Sequence, residues 1–147
     1  MEMTIERVND FDAFNWLPIL SKSTQEGYPF IERMLRERRN ETYREDGEAM
    51  FVVLSLSGHV IACGGYMKQT DAIDVGRIRH VYVLPEMRHH GVGTQLLEKI
   101  IPEALLTYSE LWLYTDDAST FYERFGFEPY TATKVTHRLL KHAFVQP

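Results

Sequence analysis

A strand that ends in proline, a basic glycine turn and then an amphipathic helix constrain this chain more than any other stretch. Ile78 to Leu84 is rich in β-branched and aromatic residues and stops at Pro85, the pattern of a strand closed by a breaker. Val92, Leu96, Leu97, Ile100 and Ile101 then recur at helical spacing. Between them, Arg88-His89-His90-Gly91-Val92-Gly93-Thr94 opens directly onto the helix. Glycine lacks a Cβ, so backbone amides at such a turn can approach a ligand closely. The first amides of a helix have no internal partners and carry the positive end of its dipole. The turn is therefore suited to a pyrophosphate. No Gly-Lys-Ser/Thr closes it, so it is not a Walker loop. Thr94-Gln95-Leu96 after Gly93 does not complete a Gly-x-Gly-x-x-Gly dinucleotide loop either. An ordinary strand-turn-helix, with glycines chosen for geometry, stands beside the phosphate reading at this point.

A second segment narrows the choice. Leu111 to Thr115 is a short apolar strand, followed by Asp116-Asp117-Ala118-Ser119-Thr120-Phe121-Tyr122-Glu123-Arg124-Phe125-Gly126-Phe127. Asp116 or Asp117 is expected to cap a helix starting near Ala118. Gly126 suits the left-handed position that ends it. The Arg-x-x-Gly-x-Gly turn after a Val-x-Val-x-Pro strand end resembles the acetyl-coenzyme A loop of the GNAT N-acetyltransferase superfamily. The Ala-x-x-x-Tyr-x-x-x-Gly-Phe order resembles that family's second motif, and the resemblance covers nearly the whole chain.

The rest of the chain reads as a strand from Thr4 to Val8, then a helix capped by Asn9-Asp10 and carrying Phe11, Phe14, Trp16, Leu17 and Leu20. Gly27-Tyr28-Pro29 breaks it, and a second helix runs from about Phe30 to Glu45. Met50 to Leu56 and His59 to Met67 form a hairpin, and Ile73 to Leu84 follows as a long strand. After the loop-helix come the strand at Leu111, the short helix, and strands near Phe127 to Tyr130 and Thr133 to Leu139. Meandering strands first and a crossover helix later predict one α/β domain over residues 1–147. Its sheet is expected to be mixed and mostly antiparallel, with about seven strands flanked by four helices. The resemblance implies that the fourth and fifth strands are parallel and splay apart, with the cofactor's pantetheine arm entering the gap.

Charge and cysteine usage exclude other classes. The net charge is −5, without the basic surplus of a nucleic-acid binder. Arg33, Arg36, Arg38 and Arg39 alternate with Glu32, Glu37 and Glu41, which reads as a solvated helix face. The lone Cys63 sits in an apolar run and reads as core filler; it excludes an internal disulfide and fits a reducing cytoplasm. The N-terminus lacks the pattern of a signal peptide, and no apolar run is long enough for a membrane span. No nucleic-acid, membrane or metal partner is expected, and a homodimer is left open. Adjacent His89 and His90 on a tight turn are poorly placed to converge on one ion.

What the resemblance implies about residues is specific. The backbone of Val81 and Val83, with Tyr82 between them, pairs with pantetheine. The amides from His89, His90, Gly91, Val92 and Gly93 to Thr94 meet the pyrophosphate, with Arg88 as charge partner. His89-His90 stands where the family often has glycine, lysine or arginine, which weakens the charge offered to the phosphate. Thr115 replaces a frequent asparagine and reaches the pantetheine less far, and Ser119 in the second motif is an expected cofactor contact. Tyr122 stands where the family places the phenol that protonates the leaving thiolate; packing under the strand is the alternative. The Val81 amide would hold the thioester carbonyl. His80 and Tyr82 alternate with Val81 and Val83 and so face away from them. His80, with an ordinary pKa of about 6.5, is the candidate base, with a substrate-side contact or a core histidine as the alternative, and Glu86 and Asp116 as substitutes. The family's acceptor site is framed by the first two helices, here Gln25, Glu26, Tyr28, Phe30 and Arg33. Tyr28 and Phe30 would form an aromatic wall, and Glu26 would hold an ammonium. The implied reaction is acetyl transfer from acetyl-coenzyme A to a primary amine, of a small molecule or of a peptide or protein, by direct attack. A non-catalytic acyl-coenzyme A sensor and a regulator using another pyrophosphate ligand are the competing classes.

Overall fold

The computed structural model describes residues 2–37, 43 and 46–147. The elements run β1 (Met3–Arg7), α1 (Leu17–Gln25), α2 (Phe30–Glu37), β2 (Ala49–Ser55), β3 (Val60–Lys68), β4 (Val75–Val83), α3 (Val92–Thr107), β5 (Glu110–Leu113), α4 (Ser119–Glu123), β6 (Glu128–Ala132) and β7 (Val135–Leu140). They form one seven-stranded sheet in the order β1-β2-β3-β4-β5-β7-β6. Every neighbouring pair is antiparallel except β4 with β5. The mixed, mostly antiparallel sheet with four α-helices is the expected architecture.

Boundaries differ where local chemistry outweighs periodicity. The first helix is interrupted: Phe11–Ala13 is a 3₁₀ turn capped by Asp10, and α1 begins only at Leu17. The Asn15 side chain accepts from the Leu17 amide at 3.2 Å, and the Trp16 indole donates to the Phe11 carbonyl at 2.6 Å. Pro18 then sits in the first turn of α1, where its missing N–H costs nothing. Ile73 stands outside β4 and is 95% exposed, so the strand begins at Val75. The second helix is described to Glu37; its expected continuation to Glu45, with Arg38, Arg39 and Glu41, lies outside the described residues apart from Tyr43.

The core forms on both faces of the central strands. Val92, Leu96, Leu97, Ile100, Ile101, Ala104 and Leu105 line the buried side of α3. On β3, the Gly64 side meets Leu96, Ile100 and Val81, and the Gly65 side meets Tyr43. Successive strand residues face opposite ways, so α3 covers one face and α1 and α2 the other. Cys63 is fully buried between them. Its thiol donates to the His80 carbonyl at 3.2 Å, and burial pushes its pKa up, which suits filler rather than a nucleophile.

Candidate active site

The site grows from a local irregularity in β4. The register against β3 runs Cys63↔Tyr82 and then Gly65↔Arg79, so His80 and Val81 together stand opposite Gly64. This bulge holds His80 at φ 59, a conformation rarely adopted by a non-glycine residue. On the other edge, β4 pairs with β5 only from Val75↔Glu110 to Arg77↔Trp112. β5 ends at Leu113 while β4 runs on to Val83. Their pairing ends there, and among the described residues no strand pairs with that edge of β4 beyond Arg77. Free edge groups of this kind can pair with an extended amide ligand.

The glycine turn sits at the mouth of the gap. Gly91 caps α3 at φ 81, with no side chain closing the helix end. The first helical amide that returns to the turn is Gln95, bonded to the Gly91 carbonyl at 3.0 Å; those before it lack intrahelical partners. His89, His90 and Gly91 are exposed, Gly93 and Thr94 are half-buried, and Val92 is the first core residue of α3. A Cβ on Gly93 would lie 3.3 Å from the Phe121 ring and 3.6 Å from Val83. The turn is therefore clamped between the end of β4 and α4.

α4 brings Tyr122 to the same region. Its ring is buried, edge-on to Phe121 at 5.1 Å and Phe127 at 5.8 Å. Among the described residues its hydroxyl has no hydrogen-bond partner, yet it is not a sealed, unsatisfied oxygen; it opens outward from a packed ring. Burial first, and then the charge of Asp117, push its pKa up, so the phenol keeps its proton. Neither Asp116 nor Asp117 caps α4. The Thr115 hydroxyl accepts from the Ala118 amide at 3.0 Å, while Asp116 accepts from Tyr114 and Asp117 from Tyr28. Thr115 thus shapes the turn into α4, and Ser119 is the first residue of that helix. Gly126 at φ 104 follows the helix as expected.

The opposite face of β4 carries the acceptor-side residues. The Tyr82 ring lies 6.2 Å from Phe30 and 6.4 Å from Tyr28, and His80 lies 6.4 Å from Phe30. Tyr28 donates to Asp117 Oδ2 at 3.0 Å, tying the α1–α2 turn to the loop after β5. Glu26 holds no free charge: Arg88 grips it through both Nη atoms at 2.8 and 3.0 Å, and the Tyr82 hydroxyl donates to it as well. The Arg88 hydrogen bond, then that of Tyr82, lowers the Glu26 pKa. Arg88 also donates from Nε to the Val83 carbonyl at 3.0 Å and lies over the Tyr82 ring. Its guanidinium is thus spent on the acceptor side rather than extended toward the loop amides. His80 Nδ1 meets the Tyr43 hydroxyl at 2.6 Å. Burial first, then Arg79 and Arg33, push the His80 pKa down to about 3. The imidazole is neutral at physiological pH but weakly basic. Tyr43 keeps its proton because burial raises its pKa, so it can donate to Nδ1 and leave the N–H on Nε2.

Sequence patterns gave no sign of the Glu26–Arg88–Tyr82 cluster, of Tyr43 beside His80, or of Tyr28 on Asp117. The one signal for the bulge was the Gly64-Gly65 pair, since glycine inside a strand often marks one. A cavity of about 440 Å³ is lined by Arg7, Tyr66 and Glu103 and reaches Tyr43, the residue that meets His80. Its polar groups answer one another: Glu103 accepts from Arg7 at 2.6 Å and from Tyr66 at 2.8 Å. It opens near Leu106 and Thr107, at the far end of α3 from the glycine turn. Among the described residues no three His, Cys, Asp or Glu side chains are grouped to hold a metal ion, and no helix is long and apolar enough to cross a membrane.

Parted parallel strands beside a glycine turn at a helix N-terminus define an α/β domain of the acyl-transferring class. The chain belongs to the GNAT acetyltransferase family: the family model described as "Acetyltransferase (GNAT) domain" matches residues 46–129. A crystal structure of a candidate acetyltransferase from Exiguobacterium sp. 255-15 is 61% identical, with a TM-score of 0.94 over 97% of this chain and 96% of that one. A GNAT family acetyltransferase from Brucella melitensis, solved in complex with acetyl-CoA, shares the fold at 18% identity and a TM-score of 0.72, covering 95% of this chain and 88% of that one. The amino-acid acetyltransferase of Pseudomonas fluorescens (strain Pf0-1) is 31% identical over 102 residues, or 69% of this chain. That match spans only 23% of the relative's own length.

Proposed function

We propose that this protein transfers the acetyl group of acetyl-coenzyme A to a primary amine by direct attack in a ternary complex. The observation that carries the reading is the β4 edge left without a strand partner beyond Arg77↔Trp112 among the described residues, with the glycine turn following it and α4 bringing Phe121 and Tyr122 against that turn. Family membership and the Brucella melitensis complex support the same choice of cosubstrate. The residues fit it: the β4 edge at Val81 and Val83, which no strand pairs among the described residues and where Arg88 takes the Val83 carbonyl, suits a pantetheine amide chain, and the amides from His89 to Thr94 suit a pyrophosphate. Acetyl-coenzyme A supplies an activated thioester and a thiolate leaving group.

The chain's own groups supply orientation and a proton. The Val81 backbone at the bulge would hold the carbonyl, and the Tyr122 hydroxyl would donate to the departing sulfur. Thr94 and Ser119 would add hydroxyl contacts, while Thr115, turned to the Ala118 amide, contributes by shaping the turn. His80 enters as a neutral positioning group. An imidazole with a pKa of about 3 is too weak to serve as an efficient base near pH 7, so the amine is read as arriving already deprotonated. Glu26, Tyr28 and Phe30 frame the acceptor entrance, with Arg88 neutralising Glu26. The test is an amine library offered with acetyl-coenzyme A, read by thiol release. Amine-dependent release is expected; binding of acetyl-coenzyme A without turnover of any amine would favour a sensor instead.

A further inference from the structure

Arg79 is unlike the other half-buried arginines. Arg88 and Arg138 are each bonded to carboxylates, and Arg77 donates to Gln69 Oε1 and the Lys134 carbonyl. Among the described residues Arg79 has a single hydrogen bond, from Nη1 to the thioether of Met67 at 3.5 Å. A guanidinium carries a planar fork of donors that matches a carboxylate, and a thioether is a weak acceptor. A partly desolvated cation without a counter-charge is costly to keep.

Its position is set by the strained bulge. Because His80 and Val81 share one partner on β3, the strand's alternation slips by one residue. Arg79, paired with Gly65, faces the Tyr43 side of the sheet together with His80. That is the acceptor side. Arg33 stands one turn beyond Phe30 on α2, and among the described residues it too has no carboxylate partner. Both guanidiniums act electrostatically on His80, Arg79 from the same strand and Arg33 from the exposed side of α2. Strained backbone of this kind tends to be kept where it positions something.

We propose that Arg79, assisted by Arg33, forms a carboxylate subsite beside His80, so that the acceptor is an amine that also carries a carboxylate. The inference rests on the acetyl-transfer reading for the fate of the amine, but the subsite can be tested apart from it. Glu26 is already held by Arg88, and among the described residues no carboxylate is bonded to Arg79.

The probes are L-glutamate and L-alanine, each against its α-carboxamide, with wild type, Arg79→Gln and Arg79→Lys. Two readouts are taken: thiol release with acetyl-coenzyme A, and thermal stabilisation of the coenzyme-A-loaded protein by the probe alone. Wild type should favour at least one acid over its carboxamide by about tenfold or more in kcat/KM. Arg79→Gln should collapse that ratio by raising KM for the acid, with KM for acetyl-coenzyme A held, and Arg79→Lys should restore part of it. The acid, and not its carboxamide, should stabilise wild type, and Arg79→Gln should lose that difference. Equal use of acids and carboxamides, or an Arg79→Gln variant that slows both alike, overturns the subsite while leaving acetyl transfer standing. Stabilisation that follows Arg79 without turnover of any amine upholds the subsite and overturns acetyl transfer. If acid and carboxamide stabilise alike and neither is turned over, the subsite is overturned.

Discussion

On the cofactor side of β4 the candidate contacts are backbone: a strand edge freed beyond Arg77 and helix amides opened by Gly91. On the acceptor side they are side chains: Glu26 at the end of α1, Phe30 on α2, Tyr43, and Asp117 after β5. Backbone recognition needs only a conformation, which few residue types allow, so it leaves a compact signature of glycines and β-branched residues. Side-chain recognition needs residues that are distant in sequence to converge, and many combinations serve. The fold that carries the first region is shared with a structure at 18% identity, while the second region names no acceptor by its sequence pattern. The contrast also assigns different consequences to mutation: loss of cofactor affinity on one side, altered acceptor use on the other.

The largest expected effect is at Tyr122, where the two regions meet. Tyr122→Phe keeps the buried ring and removes only the hydroxyl oxygen. Its kcat should fall by about 10²-fold or more, the range of general acid catalysis, with affinity for acetyl-coenzyme A nearly intact. A wild-type kcat in a chemistry-limited assay would reduce Tyr122 to packing.

Next is the turn itself. Gly93→Val places a branched Cβ against Phe121 and Val83, and Gly91→Val forces φ 81 on a β-branched residue. Each should weaken acetyl-coenzyme A binding by at least about tenfold, or about 1.4 kcal/mol, while the KM ratio between competing amines stays as in wild type. Calorimetry on folded variants decides this, and unchanged affinity would dissociate the turn from the cofactor.

His80 sharpens the comparison from the other side. As a neutral positioning group it should cost His80→Gln no more than about tenfold in kcat/KM at pH 7, below the usual reach of a lost general base. No limb near pH 6.5 should appear in either protein. The same residue predicts a stability effect. Its folded pKa of about 3 lies below the ordinary value, so as pH falls from about 6.5 toward 3 the unfolded chain takes up a proton that the folded chain refuses. Acid therefore destabilises wild type through His80, and His80→Gln should flatten that limb of Tm against pH. Parallel profiles would show that His80 is not held neutral.

The smallest effect is expected at the Glu26–Arg88 pair. Both side chains are about a third exposed, and such pairs contribute about 1 kcal/mol or less. Glu26→Gln should leave Tm within a few degrees of wild type and change amine KM more than acetyl-coenzyme A KM. The reverse pattern would move the pair to the cofactor side.

How much was legible in the sequence follows the same division. Element order, sheet type, the glycine turn and the alternation of His80 and Tyr82 against Val81 and Val83 rest on local patterns and were readable. Asn15 and Pro18 delayed α1 past the apolar periodicity, because a side-chain cap and a missing N–H set a helix start more firmly than hydrophobic spacing does. Among the described residues no side chain caps α4: Thr115 holds the Ala118 amide in the turn before it, while Asp116 and Asp117 have tyrosine partners, one of them, Tyr28, far away in sequence. The depressed pKa of His80 arises from burial and from Arg79 and Arg33. Arg33 lies on another element, and Arg79 reaches the same face only through the bulge, which periodicity does not show.

The most direct test of the account is amide hydrogen exchange on the intact protein with and without coenzyme A. Slowed exchange should be confined to the β4 edge at Val81 to Val83 and to the turn from His89 to Gln95, with little change in α1 and α2. Protection centred on the cavity around Arg7, Tyr66 and Glu103, or none at the turn, would contradict it.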